Sequence, residues 1–232
     1  MWAASAAQSR FGVVLDTKAL SEAHAALQVR VLKKACADAA GAAPRIEGEH
    51  LEALLELVRQ RAGAGKVSLP GLRAWRSFHQ VLIHPADTTF ERPQGVELAV
   101  PGVAALEKAG PRIRLRRAEP GAEAYNGISE RLDGALAARP FLLRTWQEGD
   151  AYRPRGSRQT RTIQALLQSR RVPAWERCAW PVLEWRGRIV WARQFGVAAE
   201  CAAENGGEFP IEILEEPPIP AHESNLHQIA SQ

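Results

Sequence analysis

Residues 144–196 read RTWQEGDAYRPRGSRQTRTIQALLQSRRVPAWERCAWPVLEWRGRIVWARQFG, and the fold of the C-terminal half turns on how this stretch divides. It holds eleven arginines, no lysine, four acids (Glu148, Asp150, Glu176 and Glu184) and five of the chain's seven tryptophans. PFLLRTW at 140–146 predicts a strand, and GDAYRPRGSR at 149–158 a turn-rich loop. Thr160–Arg170 predicts a helix with Ile163, Leu166 and Leu167 on one face and Arg161, Gln164 and Gln168 on the other. Pro173 stops it, and WPVLEW and RIVWAR then flank an Arg186-Gly187 hairpin turn. A surplus of positive charge among flat rings has two readings. Arginine forks grip phosphates in pairs and stack on bases, or the tryptophans are core and the arginines a solvated face. Charge alone leaves both open.

Outward from this stretch the texture changes at both ends. From Glu200 onward come seven acids (Glu200, Glu204, Glu208, Glu212, Glu215, Glu216 and Glu223) and no Lys or Arg, so the tail reads as acidic and poorly ordered. The formal net charge of +4 therefore hides a basic block cancelled by an acidic tail. Upstream, Glu119–Ala138 is rich in Gly, Ala and charge and reads as a linker. From Lys66 the runs KVSLPG, RAWRSFHQVLIHP, VELAVPG and RIRLRRA are punctuated by Pro70-Gly71 and Pro101-Gly102, expected type II turns. Together they predict one small antiparallel sheet over Lys66–Ala118.

The first sixty residues read as helical. Leu20, Ala23, Leu27 and Val31 keep near-helical spacing before a left-handed cap at Gly41. Leu51, Leu54, Leu55 and Val58 mark a second helix, ended by Gly63 and Gly65. The expected architecture is α+β. A helical segment with a small antiparallel sheet (1–118) leads through a linker (119–139) to a small α+β C-terminal domain (140–199) and an acidic, disordered tail (200–232).

Several chemistries are excluded. Cys36, Cys178 and Cys201 are far apart and form no CxxC pair, which argues for a reducing compartment and against a disulfide framework or zinc site. The opening MWAASAAQSRFGVVL lacks the basic region and apolar length of a signal peptide, and no stretch approaches a membrane span, so a cytoplasmic location is expected. Residues 61–66, RAGAGK, miss the phosphate-loop pattern because Gln60 and Val67 stand at two of its fixed positions. They read as the C-terminal turn of a helix. His79 and His84 lack the spacing of HExxH zinc ligands. No GxSxG elbow occurs, and Asp150 after Gly149 reads as turn chemistry rather than a general base. No catalytic or metal-ligating constellation is expected.

The arginines remain. Arg153, Arg155, Arg158 and Arg161 lie in a loop entering the expected helix, whose N-terminal N–H groups would add to the pull on an anion. Arg170, Arg171 and Arg177 gather at its far end. The phosphate contacts expected are Arg153, Arg158, Arg161, Arg170, Arg171 and Arg177, with Arg177 equally readable as an ion-pair partner of Glu176 or Asp150. A broad patch of this kind suits structured RNA, which is read by shape through phosphate and 2′-OH contacts. Trp175 and Trp180 are candidates for stacking on bases, at least one of them being core.

The ordered set Arg144-x-Trp146-x-x-Gly149-Asp150-x-x-Arg153-Pro154-x-Gly156, the helix with Ile163, Leu166 and Leu167, Val172-Pro173-x-x-x-Arg177, Trp180-Pro181-Val182 and Ile189-Val190-Trp191 resembles the C-terminal domain of bacterial tRNA(Ile)-lysidine synthetases. LPGLRAWRSFHQVLI, the VELAVPG and RIRLRR strands and GEHLEALLELVR look like the same family's middle region. The chain departs from the pattern at Thr162, Gln164, Ala165 and Ser169, where the family usually carries lysines and acids. It departs again at Trp191-Ala192-Arg193-Gln194, where the family has a Trp-x-Pro-Gly turn. The resemblance implies ATP-dependent attachment of lysine to the wobble cytidine of isoleucine tRNA, with isoleucine tRNA as partner. Its ATP and lysine sites belong to an N-terminal domain carrying SGGxDS, a motif not found here. What the resemblance implies for this chain is therefore a tRNA-binding rear portion, without cofactor, inactive alone and served by a separate catalytic chain or domain. The rival reading is a non-catalytic protein–protein interaction module with a basic face.

Overall fold

The computed structural model of the chain describes residues 2–42, 44–60, 63–107, 110–118, 130–203 and 209–217. They form two compact units, Met1–Phe90 and Glu91–Gln232.

The first unit begins with α1 (Trp2–Ser5), β1 (Ala6–Ser9), β2 (Gly12–Asp16), α2 (Thr17–Ser21), α3 (Ala25–Ala40) and α4 (Gly48–Arg59). It ends with β3 (Gly65–Leu69), β4 (Leu72–Ser77) and β5 (Gln80–Pro85), and its antiparallel sheet runs β1-β2-β5-β4-β3. Strand alternation sends Val13 and Leu15, Leu72 and Ala74, and Val81 and Ile83 to one face. There they meet Val31, Leu32, Ala35 and Cys36 of α3 and Leu54, Leu57 and Val58 of α4. Each leucine or valine so buried contributes about 1.5–3 kcal/mol before entropy is counted.

Arg76 continues the inward register of β4 and is 4% exposed. Its guanidinium donates to the carbonyls of Leu57 (2.7 Å), Val58 (2.8 Å) and Gln60 (2.8 Å), the acceptors that the last turn of α4 leaves over. At the other end of α4 the Glu47 N–H donates to His50 Nδ1 at 3.2 Å, half of a capping box.

The second unit adds β6 (Val96–Leu98), β7 (Gly102–Ala105), β8 (Arg112–Arg117), β9 (Glu130–Leu132), a 3-10 turn at Gly134–Ala138, β10 (Phe141–Thr145), β11 (Ala151–Tyr152) and β12 (Arg161–Thr162). There follow α5 (Ile163–Ser169), α6 (Ala174–Arg177), β13 (Pro181–Trp185), β14 (Arg188–Ala192), β15 (Gly196–Val197), a 3-10 turn at Ala199–Cys201 and β16 (Ile211–Glu216). One sheet runs β15-β14-β13-β10-β6 and another β7-β8-β16-β9. Leu143, Leu183, Val190 and Trp191 of the first share a core with Ile113, Leu115, Leu132, Ile211 and Ile213 of the second, as in a sandwich. The reverse face of the first sheet carries Val182, Ile189 and Ala192 under Ile163, Leu166 and Leu167 of α5, with Trp146, Tyr152 and Trp180. A bulge between Leu183 and Glu184 in the β13–β14 register explains why Val190 and Trp191, adjacent in sequence, lie in the same core.

The α+β class expected from sequence holds, and so does the Arg186-Gly187 turn, with φ of 51° and 76°; the helix expected over Thr160–Arg170 is the shorter Ile163–Ser169, with Arg161 in β12 rather than on its polar face. Four expectations are corrected. The first sixty residues are not all helical, because β1 and β2 form a hairpin there. The stripe through Leu27 fails: α3 starts only after a His24 cap and Leu27 is 38% exposed. Buried Gln28 donates to the Ala23 carbonyl at 2.9 Å and fixes the break between α2 and α3. The sheet expected over 66–118 divides, β3–β5 closing the first unit while β6–β8 pair within the second. Gly71 does take a positive φ of 72°, but Gly102 does not; a Cβ there would stand 2.6 Å from the Ala99 carbonyl, so close approach is what requires glycine.

The acidic tail contains β16, a strand between β8 and β9, and the expected linker contains β9 and the 3-10 turn. The rest of those two segments, 119–129, 204–208 and 218–232, lies outside the described residues.

Candidate nucleic-acid interface

The arginines of 144–196 divide by burial. Arg144 is enclosed on β10, where Nη1 and Nη2 form a two-pronged pair with Asp150 at 2.8 and 2.9 Å and Nε donates to Glu184 at 2.7 Å. These hydrogen bonds, that to Asp150 first, raise its pKa further. Asp150 also accepts the Gln147 N–H at 2.7 Å and offers its carbonyl to the Ile163 N–H at 2.9 Å, so it shapes the turn as its sequence context suggests. Arg177 is half-buried. Its Nε donates to the Val172 carbonyl at 2.8 Å, its own carbonyl accepts the Trp146 indole N–H at 2.7 Å, and burial pulls its pKa down.

Arg153, Arg155, Arg158 and Arg161 are exposed. They lie on the excursion from β11 to β12, whose ends are held by the pairs Ala151↔Thr162 and Tyr152↔Arg161. The excursion is fixed by its backbone: Arg155 N–H donates to the Val197 carbonyl at 2.9 Å and Ala199 N–H to the Arg153 carbonyl at 2.8 Å. Its side chains are thus left outward on a tethered main chain. Arg153 stands 4.0 Å from Glu200, with both side chains about half exposed, a pairing of small energetic weight. For Arg155, Arg158, Arg161, Arg170 and Arg171 no acidic partner occurs among the described residues.

The N-terminus of α5 is not an anion site. The helix has seven residues; Thr162 Oγ1 takes the Ala165 N–H at 3.2 Å, and the Ile163 N–H is held by Asp150. Arg170 and Arg171 leave the opposite end, about 10 Å away along the axis, where the helix carbonyls favour cations. Five of the six arginines expected to contact phosphate are therefore exposed, and Arg177 is set apart from them by its structural bonds. Arg155 joins the exposed group; its place in the same loop was the available signal.

Four of the five tryptophans of 144–196 are buried. Trp146, Trp175, Trp180 and Trp191 are 8%, 1%, 2% and 3% exposed, which withdraws Trp175 and Trp180 as stacking platforms for bases. The acids of β16 are also taken. Glu212, 2% exposed, accepts from Arg116 (2.8 Å) and Arg131 (2.8 Å). Glu216 pairs with Arg112 at 2.8 Å and with Arg114, and Glu215 accepts from Arg193 Nε at 2.9 Å. This ladder pairs Arg112, Arg114 and Arg116 of β8, Arg131 of β9 and Arg193 just after β14, and none of its acids reaches the excursion. Among the described residues no group of three or more His, Cys, Asp or Glu is placed to hold a metal, and no helix is long and apolar enough to cross a membrane.

Two family descriptions match the chain: "TilS substrate binding domain" over residues 15–82 and "TilS substrate C-terminal domain" over residues 142–211. A tRNA(Ile)-lysidine synthase of Solibacter usitatus (strain Ellin6076) is 32% identical over 197 residues, covering 82% of this chain and 44% of the relative. The enzyme of the same name from Geobacillus kaustophilus (strain HTA426) is 27% identical over 75% of this chain and 38% of its own length. A crystal structure of a TilS C-terminal domain, 24% identical, covers 55% of this chain with a TM-score of 0.47. The chain spans less than half the length of these curated relatives. It belongs to the tRNA(Ile)-lysidine synthase family, and the part of the family's architecture it carries is the substrate-binding domain together with the C-terminal domain.

Proposed function

We propose that the chain is the tRNA-holding part of a tRNA(Ile)-lysidine synthase, acting in the cytoplasm. In the whole enzyme lysine is joined, at the expense of ATP, to the wobble cytidine of isoleucine tRNA; in this reading that chemistry is supplied by a catalytic domain or chain, and the residues described here grip the RNA. One observation carries the reading: five outward arginines, Arg155, Arg158, Arg161, Arg170 and Arg171, stand without acidic partners among the described residues while neighbouring arginines are paired. Arginine in this state suits phosphate oxygens, and grips them through counterion release. The family description of a substrate-binding domain supports the same assignment. An acidic protein partner is the weaker reading, because the acidic strand that could satisfy a basic face is already built into the fold on β8.

Filter binding of isoleucine tRNA over a salt series tests this. Arg158→Ala, Arg161→Ala and Arg170→Ala are each expected to weaken all tRNAs similarly and to lower the salt slope by about one. Arg177→Ala is expected to lower the melting temperature and leave the slope alone, since its bonds are internal. No affinity at low salt, or affinity indifferent to salt, overturns the proposal.

A further inference from the structure

The face of the first unit's sheet opposite its helices carries a second basic and aromatic cluster. Register places Lys66, Trp75 and Leu82 in one row across β3, β4 and β5, and Ser68, Arg73 and His84 in the next. Between them Val67, Ala74 and Ile83 point the other way, into the helix-covered core. Phe90 closes the groove edge-on, its ring centroid 5.3 Å from Trp75 and 5.1 Å from His84. The groove holds about 350 Å³, near the lower end of small-ligand clefts. That is room for one flat group and its substituents, not for a duplex.

Its chemistry is specific. Lys66 and Arg73 are exposed diagonal neighbours on adjacent strands, with no acidic partner among the described residues. The Lys66 ammonium covers the Trp75 ring at 4.6 Å, a position that an arriving flat ring can take over while the ammonium swings to an anion. His84 is 3% exposed, and its Nδ1 lies 2.8 Å from the Pro85 carbonyl, which can only accept, so Nδ1 carries the proton. Burial holds this ring's pKa below the usual histidine range, and a neutral ring leaves Nε2 as an acceptor. A ligand complementary to all of this brings an anion, a flat face and a hydrogen-bond donor.

We infer that this groove receives a single nucleotide of RNA, its phosphate between Lys66 and Arg73, its base against Trp75 and Phe90, and a hydroxyl or amino donor on His84 Nε2. A carboxylate side chain would satisfy the two cations but offers neither a base-sized face nor a donor. The inference rests on the tRNA-holding reading and adds to it a site in the unit that the exposed arginines do not occupy.

The test uses the full chain and a labelled isoleucine tRNA transcript, comparing wild type, K66Q/R73Q, W75L and R158Q/R161Q in filter binding across a salt series. Both charges of the first variant are exposed, so its melting temperature should match wild type. The expected result is roughly tenfold weaker binding by K66Q/R73Q at low salt with a salt slope lower by about two. W75L should weaken binding with the slope unchanged, because stacking releases no counterions. A wild-type chain without affinity overturns the tRNA reading and the groove together. Wild-type affinity that R158Q/R161Q reduces and K66Q/R73Q leaves within about twofold overturns the groove alone. Capture of polyglutamate by wild type, lost in K66Q/R73Q while tRNA affinity is intact, would give the groove to an acidic protein segment and overturn it as well.

Discussion

Glu130, on β9, shows how far one carboxyl can depart from its ordinary behaviour inside this fold. Burial, seconded by the negative charge of Glu215, pushes its pKa up to about 7 from 4.5, and its carboxylate accepts the Trp191 indole N–H. The folded value lies above the unfolded one, so between pH 4.5 and about 7 the folded state keeps a proton that the unfolded chain has released. Stability therefore falls as pH rises through that window. Glu130→Gln keeps an acceptor for Trp191 and removes the titration. Its melting temperature should exceed wild type at pH 8 by clearly more than at pH 5, and a difference constant with pH would refute the assignment. No sequence pattern announces such a group, for Glu130 meets Trp191 across 61 residues. The same holds for the arginines: that 144–196 is basic is visible in its letters, but which arginine is buried depends on Asp150 and Glu184 meeting Arg144, and only the contact with Asp150 is local.

At the scale of elements, short local signals were legible and long-range pairings were not. The apolar triplet of α5 and the Arg186-Gly187 turn are written within a few residues of where they act. β16 is written ambiguously, because IEILEE is half acidic and sits in an acidic context that reads as unstructured. What makes it a strand is the row of arginines on β8 and β9 that receives its glutamates, together with Ile211 and Ile213 in the core. Truncation at Glu200 is accordingly expected to abolish the cooperative unfolding of the second unit, followed by near-UV circular dichroism. Glu215→Gln, which removes a partly exposed pair with Arg193 and a charge near Glu130 but no core contact, should leave that transition in place. A truncated chain with an unchanged transition would refute the structural role of the strand.

For the molecule as a whole, the division after Phe90 was not legible, since the strands on both sides of it share one texture of short apolar runs and Pro-Gly turns. The core decides it: every buried member of the first unit's cluster falls between Val13 and Ile83, so its hydrophobic surface closes without help from β6–β8. Residues 1–90 expressed alone should therefore unfold in a single urea transition, and a non-cooperative melt would show that the boundary lies elsewhere. The two functional surfaces were unequally legible. The arginine excursion stands out as composition, whereas the groove exists only once Lys66, Trp75 and His84 are aligned by strand register. The position of β16 has a further consequence for how the second unit comes into being. Arg114 and its partner Glu216 are 102 residues apart, so β8 and β9 are synthesised long before the strand that joins them. Until Glu216 is present, the arginines of RIRLRR lack the carboxylates that pair with them in the folded unit. The sandwich can close only after β16 has been made, and slowly, as pairing across so long a separation requires.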